Sequence, residues 1–181
     1  MRKIIIIGIT IVMLFFKNSA IANYDKIFYD FNIESISGEI INLEEYKNKV
    51  ILVVNTASYC GFTKQYKDLQ ELWDKYKSKG LVVIGVPSNS FNQEKKNDNK
   101  VKEFCEVNFN INFPLSTITE VKGDNAHEIF KWAKKNYGKS AVPKWNFHKI
   151  LINKKGKVEE TFSSFTKPTS KNIIKKIEEI L

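Results

Sequence analysis

Apolar and polar residues follow two different periods along this chain, and the switches between them mark its elements. From Ile27 to Ile33 and from Ser35 to Leu43 the alternation has a step of two, broken at Ser37-Gly38, which predicts a hairpin. Lys49 to Asn55 (KVILVVN) is continuously apolar and rich in β-branched residues, as a strand covered on both faces must be. Between Thr63 and Lys79 the large apolar residues Tyr66, Leu69, Leu72, Trp73 and Tyr76 recur at helical steps, and the stripe stops at Gly80. Leu81 to Val86 reads as a second buried strand closed by Pro87. The polar stretch Ser88 to Lys100 is a loop leading into a short helix around Val101 to Phe109. Asn125 to Tyr137 carries Ala126, Ile129, Phe130 and Ala133 on one side, a helix ended by Gly138. Trp145 to Asn153 and Lys157 to Phe162 are strands joined by a turn over Asn153-Lys154-Lys155-Gly156. A last amphipathic helix runs to Leu181, with Thr169 or Ser170 placed to cap it.

The order is strand, helix, strand, helix, helix, strand hairpin, helix. A strand–helix–strand start implies a parallel central pair, and the late hairpin adds antiparallel strands. The expected fold is α/β and thioredoxin-like: a central mixed sheet flanked by helices, with an N-terminal β-hairpin. No repeat, linker or second domain is visible.

The first 22 residues break this pattern. Arg2 and Lys3 precede an apolar run from Ile4 to Phe16, and Ala20-Ile21-Ala22 has the small-x-small form of a signal peptidase site. The run is shorter than the roughly 20 residues that span a bilayer. Residues 1–22 are therefore expected to be a signal peptide cleaved after Ala22, leaving an exported, periplasmic domain over 23–181; an uncleaved anchor is the alternative. The formal charge of the chain is +9, and removing Arg2, Lys3 and Lys17 leaves 26 basic against 20 acidic residues, or +6. Its lysines are scattered and no arginine remains, so no nucleic-acid partner is expected.

Two cysteines remain, Cys60 and Cys105, in a chain bound for an oxidising compartment. By themselves they fit a structural disulfide as well as reactive thiols. Cys60, however, falls between a buried strand and a helix, where unpaired backbone N–H groups and the helix dipole favour a thiolate. Gly61 is expected to permit tight packing at the turn. Thr63 stands where a disulfide oxidoreductase carries its second cysteine, which suggests a single attacking sulfur.

The stretch from Val50 to Thr63, VILVVNTASYCGFT, closely resembles the peroxidatic segment of glutathione peroxidases. Val86-Pro87-Ser88-Asn89-Ser90-Phe91, Phe104-Cys105 with Phe113-Pro114, Gly123 to His127, and Lys144-Trp145-Asn146-Phe147 resemble further blocks of that family in the same order. The resemblance runs from about Phe28 to Leu181. It implies a thiol-dependent peroxidase acting on hydrogen peroxide and organic or lipid hydroperoxides, with no cofactor. Cys60 is then the nucleophile that becomes a sulfenic acid, and Trp145 and Asn146 donate N–H groups to the thiolate and leaving oxygen. The family's Asn-Gln-Phe appears here as Asn89-Ser90-Phe91, so the glutamine of its tetrad is missing at Ser90. Gln93 fills that role if the loop folds back; otherwise it is a solvated loop residue.

Relatives that use thioredoxin carry a resolving cysteine near Cys105, which implies a Cys60–Cys105 disulfide reduced by a thioredoxin-like protein; glutathione is the other reductant. An inert buried Cys105 and a permanent bridge are the alternatives. The short Gly138 to Pro143 segment lacks the insertion of tetrameric members, which implies a monomer open to bulky substrates, with transient contact to membrane lipid hydroperoxides. His127 and His148 lack metal-ligand spacing. The competing functions are a redox relay and a non-catalytic envelope module with a degenerate site.

Overall fold

The computed structural model describes residues 24–181; the expected signal segment and its cleavage after Ala22 lie outside the described residues. Among the described residues no helix is long and apolar enough to cross a membrane. The elements are β1 (Asn32–Glu34), β2 (Ile40–Asn42), β3 (Val50–Thr56), α1 (Gln65–Tyr76), β4 (Leu81–Pro87), α2 (Asp98–Phe109), α3 (Glu128–Tyr137), β5 (Lys149–Ile152), β6 (Val158–Phe162) and α4 (Lys171–Ile180).

Four strands form the central sheet in the order β4-β3-β5-β6, with β3 parallel to β4 and antiparallel to β5. β1 and β2 pair as a separate hairpin. Helices cover the sheet, and the whole is a thioredoxin-like α/β fold with an N-terminal β-hairpin, as the element order implies. Every residue of β3 and β4 is buried. Val50, Leu52 and Val54 enter one core with α1, α2 and α4, while Ile51 and Val53 enter the other with α3. The unbroken apolar run of β3 is thus the mark of a strand with two covered faces.

Gly85 of β4 makes room for the chain on its outer edge. A Cβ there would lie 2.5 Å from Leu115 Cδ2. Its absence lets Gly85 N–H reach the Pro114 carbonyl and Ser116 N–H reach the Gly85 carbonyl, each at 2.9 Å.

Several boundaries differ from the pattern-based expectation. The N-terminal hairpin is short, because Phe28–Asp30 is a 3₁₀ turn and only three residues pair on each strand. α2 starts three residues early at Asp98, since the Asn97 side chain accepts the Lys100 N–H as an N-cap. Cys105 consequently lies in the second half of that helix. Ser170 occupies the N-cap position of α4, but its hydroxyl makes no cap bond. β5 begins only at Lys149, so Trp145 and Asn146 lie outside the sheet.

Candidate active site

β3 and β4 are parallel, so their C-terminal ends open on the same edge of the sheet, where α/β proteins build their sites. The chain leaving β3 makes tight turns from Ala57 to Lys64 before α1 begins at Gln65. Thr63 holds them: its hydroxyl lies 2.9 Å from the Ala57 carbonyl and 2.7 Å from the Cys60 carbonyl, and it accepts the Cys60 N–H at 3.1 Å. The residue that replaces a second cysteine is therefore the staple of the turn. Cys60 sits at the margin of the core, 8% exposed, and the Phe62 N–H points to its sulfur at 3.4 Å. A Cβ on Gly61 would meet nothing within 4 Å, so the tight packing expected at that glycine is not there.

The segment after β4 folds back over this turn. Ser88 N–H donates to the Thr56 carbonyl at 3.0 Å, and Tyr59 N–H donates to the Gln93 carbonyl at 2.9 Å. The Glu94 carboxylate accepts Ser58 N–H at 3.0 Å and its neighbour's Lys95 N–H at 2.8 Å. Glu94 is buried with its second oxygen unpartnered, and this burial raises its carboxyl above the usual range. Gln93 is the residue that reaches the site: its side-chain carbonyl accepts the Asn146 amide N–H at 2.9 Å. Ser90 faces the other way, bonded to the Glu120 carboxylate and accepting Val121 N–H at 3.0 Å. The glutamine side chain that meets Asn146 thus lies three positions beyond Ser90, past a turn at Asn92, whose φ is 57°.

Asn55, one residue before the end of β3, decides where Trp145 and Asn146 stand. Its side chain donates to the Trp145 carbonyl at 3.2 Å and accepts His148 N–H at 3.0 Å. Its backbone accepts Phe147 N–H at 2.6 Å and donates to the His148 carbonyl at 3.3 Å. Four hydrogen bonds thereby pull Trp145–His148 out of the strand ladder into a turn, with buried Phe147 at φ 64°. That is why the strand predicted from Trp145 starts four residues later. Trp145 is 43% exposed and packs against Phe91 with ring centroids 5.3 Å apart. Asn146 is fully buried, and its carbonyl oxygen has no partner.

A second clamp holds the far wall. Lys149, fully buried at the start of β5, donates to Gln65 Oε1 at 2.6 Å and to the carbonyls of Thr166 (2.6 Å) and Ser163 (3.4 Å). Gln65 also donates to the Ser164 carbonyl at 2.6 Å. Burial pulls the Lys149 ammonium down to about 7. The loop so fixed presents Phe165, which meets Phe62 edge-on at 5.2 Å. A groove of about 310 Å³ runs beside Trp145, lined by Val142, Lys144, His148, Ser163 and Phe165 among others.

Cys105 lies in the same apolar cluster as Cys60, but it is wholly enclosed. Both thiols are free. Burial pushes the Cys105 thiol up to about 11, with the Tyr66 hydroxyl beside it acting in the opposite sense. Of seven buried side-chain polar atoms without a partner among the described residues, six belong to Thr56, Ser58, Tyr66, Glu94, Asn146 and His148. Thr56 and Ser58 flank the end of β3, Glu94 is bonded to Ser58, and Asn146 and His148 lie on the Trp145 turn. The histidines have other tasks: His127 caps α3 through Nδ1, and His148 is buried in the Trp145 turn.

Asn55, Glu94 and Lys149 are the positioning residues that reading the chain overlooks. A polar side chain inside a doubly covered strand, as Asn55 is, is itself a signal, because burial obliges it to find partners.

The chain matches the glutathione peroxidase family profile over residues 28–134. It is 43% identical over 148 residues to glutathione peroxidase-like peroxiredoxin 2 of Saccharomyces cerevisiae, covering 79% of this chain and 91% of the yeast protein. With hydroperoxy fatty acid reductase gpx1 of Synechocystis it shares 37% identity over 156 residues, 81% of this chain and 92% of that one. The apo crystal structure of Trgpx superposes with a TM-score of 0.67 at 36% identity, covering 86% of this chain and 95% of the other.

Proposed function

The chain belongs to the glutathione peroxidase family, and from that premise we propose how its residues divide the work of thiol-dependent peroxide reduction. The Cys60 thiolate attacks the terminal oxygen of a hydroperoxide. The O–O bond breaks, an S–O bond forms, and the departing alkoxide takes a proton to leave as alcohol or water, with Cys60 as sulfenic acid. The Trp145 indole and the Asn146 amide, steadied by Gln93, donate hydrogen bonds where charge collects on sulfur and oxygen.

One arrangement carries this reading: the Gln93–Asn146 amide pair at 2.9 Å, with Gln93 on a loop tied to the Cys60 turn through the N–H groups of Ser58 and Tyr59. Neutral amides supply directed donors without adding a charge that titrates. The apolar groove beside Trp145 favours organic hydroperoxides as well as hydrogen peroxide.

Cys105 then resolves the sulfenic acid. Its sulfur attacks Cys60, the S–O bond breaks, the thiol proton joins the departing hydroxide, and a Cys60–Cys105 disulfide and water result. An external dithiol, a thioredoxin-like protein in preference to glutathione, restores the two thiols. The enzyme acts as a monomer outside the cytoplasm, in the periplasm, after cleavage following Ala22. The cationic start and apolar run of residues 1–22 support export, and the short Gly138–Pro143 segment supports the monomer.

Peroxide consumption by the mature protein, with a thioredoxin system or glutathione as reductant, tests the scheme. Turnover persisting in Cys60→Ser overturns the nucleophile, and thioredoxin-supported turnover unaffected by Cys105→Ser removes its resolving role. Mass measurement of the exported protein checks the cleavage site.

A further inference from the structure

Lys95 joins the neighbourhoods of the two cysteines. Its ammonium lies 4.6 Å from the ring centroid of Tyr59, the residue before Cys60, and 4.9 Å from that of Phe104, the residue before Cys105. Both distances are within the range of a cation–π contact. The same nitrogen donates to the Tyr59 hydroxyl at 3.0 Å. One side chain therefore bridges the Cys60 turn and α2.

The helix it grips is weakly seated. Of its twelve residues only Val101 and Cys105 are buried, whereas α1, of equal length, buries six. At its start the Asp98 carboxylate accepts the Thr117 hydroxyl (2.7 Å) and the Ile118 N–H (2.8 Å), which pins the first turn. Its end is an αL residue, Asn110, at φ 52°. Segments with few buried apolar contacts open more readily than the core around them. Cys105, enclosed and unbonded to Cys60, has to leave its seat before it can attack.

We propose that the Tyr59–Lys95–Phe104 clasp sets how often α2 opens, and so makes Lys95 a positioning residue for the step that joins Cys105 to Cys60. The proposal rests on Cys105 being the resolving cysteine. Removing the clasp lowers the cost of opening without touching the tetrad, so disulfide formation quickens while peroxide attack does not. Two exposed cation–π contacts together are worth about tenfold in such an equilibrium.

The test separates the two chemical steps. Sulfenic acid formed on Cys60 is trapped with dimedone, and the Cys60–Cys105 disulfide is timed by acid quench and mass spectrometry after one equivalent of hydrogen peroxide. Lys95→Met and Phe104→Leu are expected to speed disulfide formation about tenfold, with the rate of Cys60 oxidation within twofold of the parent. Lys95→Arg, which keeps a cation over both rings, is expected to restore the parental rate. An unchanged or slower disulfide step in Lys95→Met overturns the clasp, as does equal acceleration in Lys95→Arg. A parent protein that forms no Cys60–Cys105 disulfide overturns the resolving reading, and the clasp with it.

Discussion

Two cysteines share one apolar cluster, yet their surroundings differ in nearly every respect. Cys60 stands at the cluster's margin on a turn stapled by Thr63 and tied to the Gln93–Glu94 segment, with a backbone N–H aimed at its sulfur and exposed Tyr59 beside it. Cys105 is sealed inside α2 next to Tyr66, its thiol pushed up to about 11 by burial. The contrast teaches how a single-domain peroxidase keeps two thiols apart in function without keeping them apart in space. One lies at the edge of the core with a backbone N–H at its sulfur, and the other is wholly enclosed. A thiol so far from ionising is a poor nucleophile where it rests, which protects it from direct oxidation by peroxide.

This contrast can be broken at several points. The largest effect is expected from Cys60→Ser, which removes the attacking sulfur and lowers peroxide consumption by about 10⁴-fold or more, whereas Cys105→Ser leaves Cys60 oxidation nearly intact. Rapid-mixing kinetics with hydrogen peroxide distinguishes the two. Next comes Asn146→Ala, where loss of one directed donor is expected to slow sulfenic acid formation by about 10²-fold, while Gln93→Ala costs only about tenfold by loosening Asn146. A rate constant unaltered by Gln93→Ala would return that residue to the status of a solvated loop side chain. Iodoacetamide offers a third comparison: the native protein should alkylate at Cys60 about 100-fold faster than at Cys105, the ratio collapsing in denaturant. Equal labelling of the folded protein would mean that α2 seals nothing.

The smallest effect concerns stability and pH. Burial, with Lys149 and Lys144 nearby, holds the His148 imidazole down to about 4 against its ordinary 6.5. Between those values the unfolded chain binds the extra proton, so stability is fully present above pH 6.5 and falls as pH drops through the window. His148→Phe should flatten this acid limb between pH 6.5 and 4, read as urea midpoints at several pH values. An acid limb as steep as the parent's would assign the loss to other groups.

Much of the molecule is legible in its residues taken in order. The doubly apolar β3 and β4, the helical stripe of α1 and the turn at Gly156 follow from local periodicity and turn chemistry, which act over a few residues. Boundaries fail where a distant partner intervenes. β5 loses Trp145 to His148 because Asn55, ninety residues earlier, competes for their backbone groups. α2 gains a turn from the Asn97 cap, which places Cys105 deeper along the helix than its sequence neighbours suggest.

The order of residues alone carries the thioredoxin-like succession of elements, the candidacy of Cys60 as the nucleophile, and the Trp145-Asn146 pair that the family resemblance marks. It took the folded chain to show that Gln93 and not Ser90 meets Asn146, that Glu94 and Asn55 tie the site together, and that Cys105 is enclosed while Lys95 lies over the rings of Tyr59 and Phe104. The reason is physical: periodicity and propensity report on neighbours along the chain. Which loop side chain reaches a buried amide depends instead on how segments far apart in sequence satisfy one another's hydrogen bonds in the core.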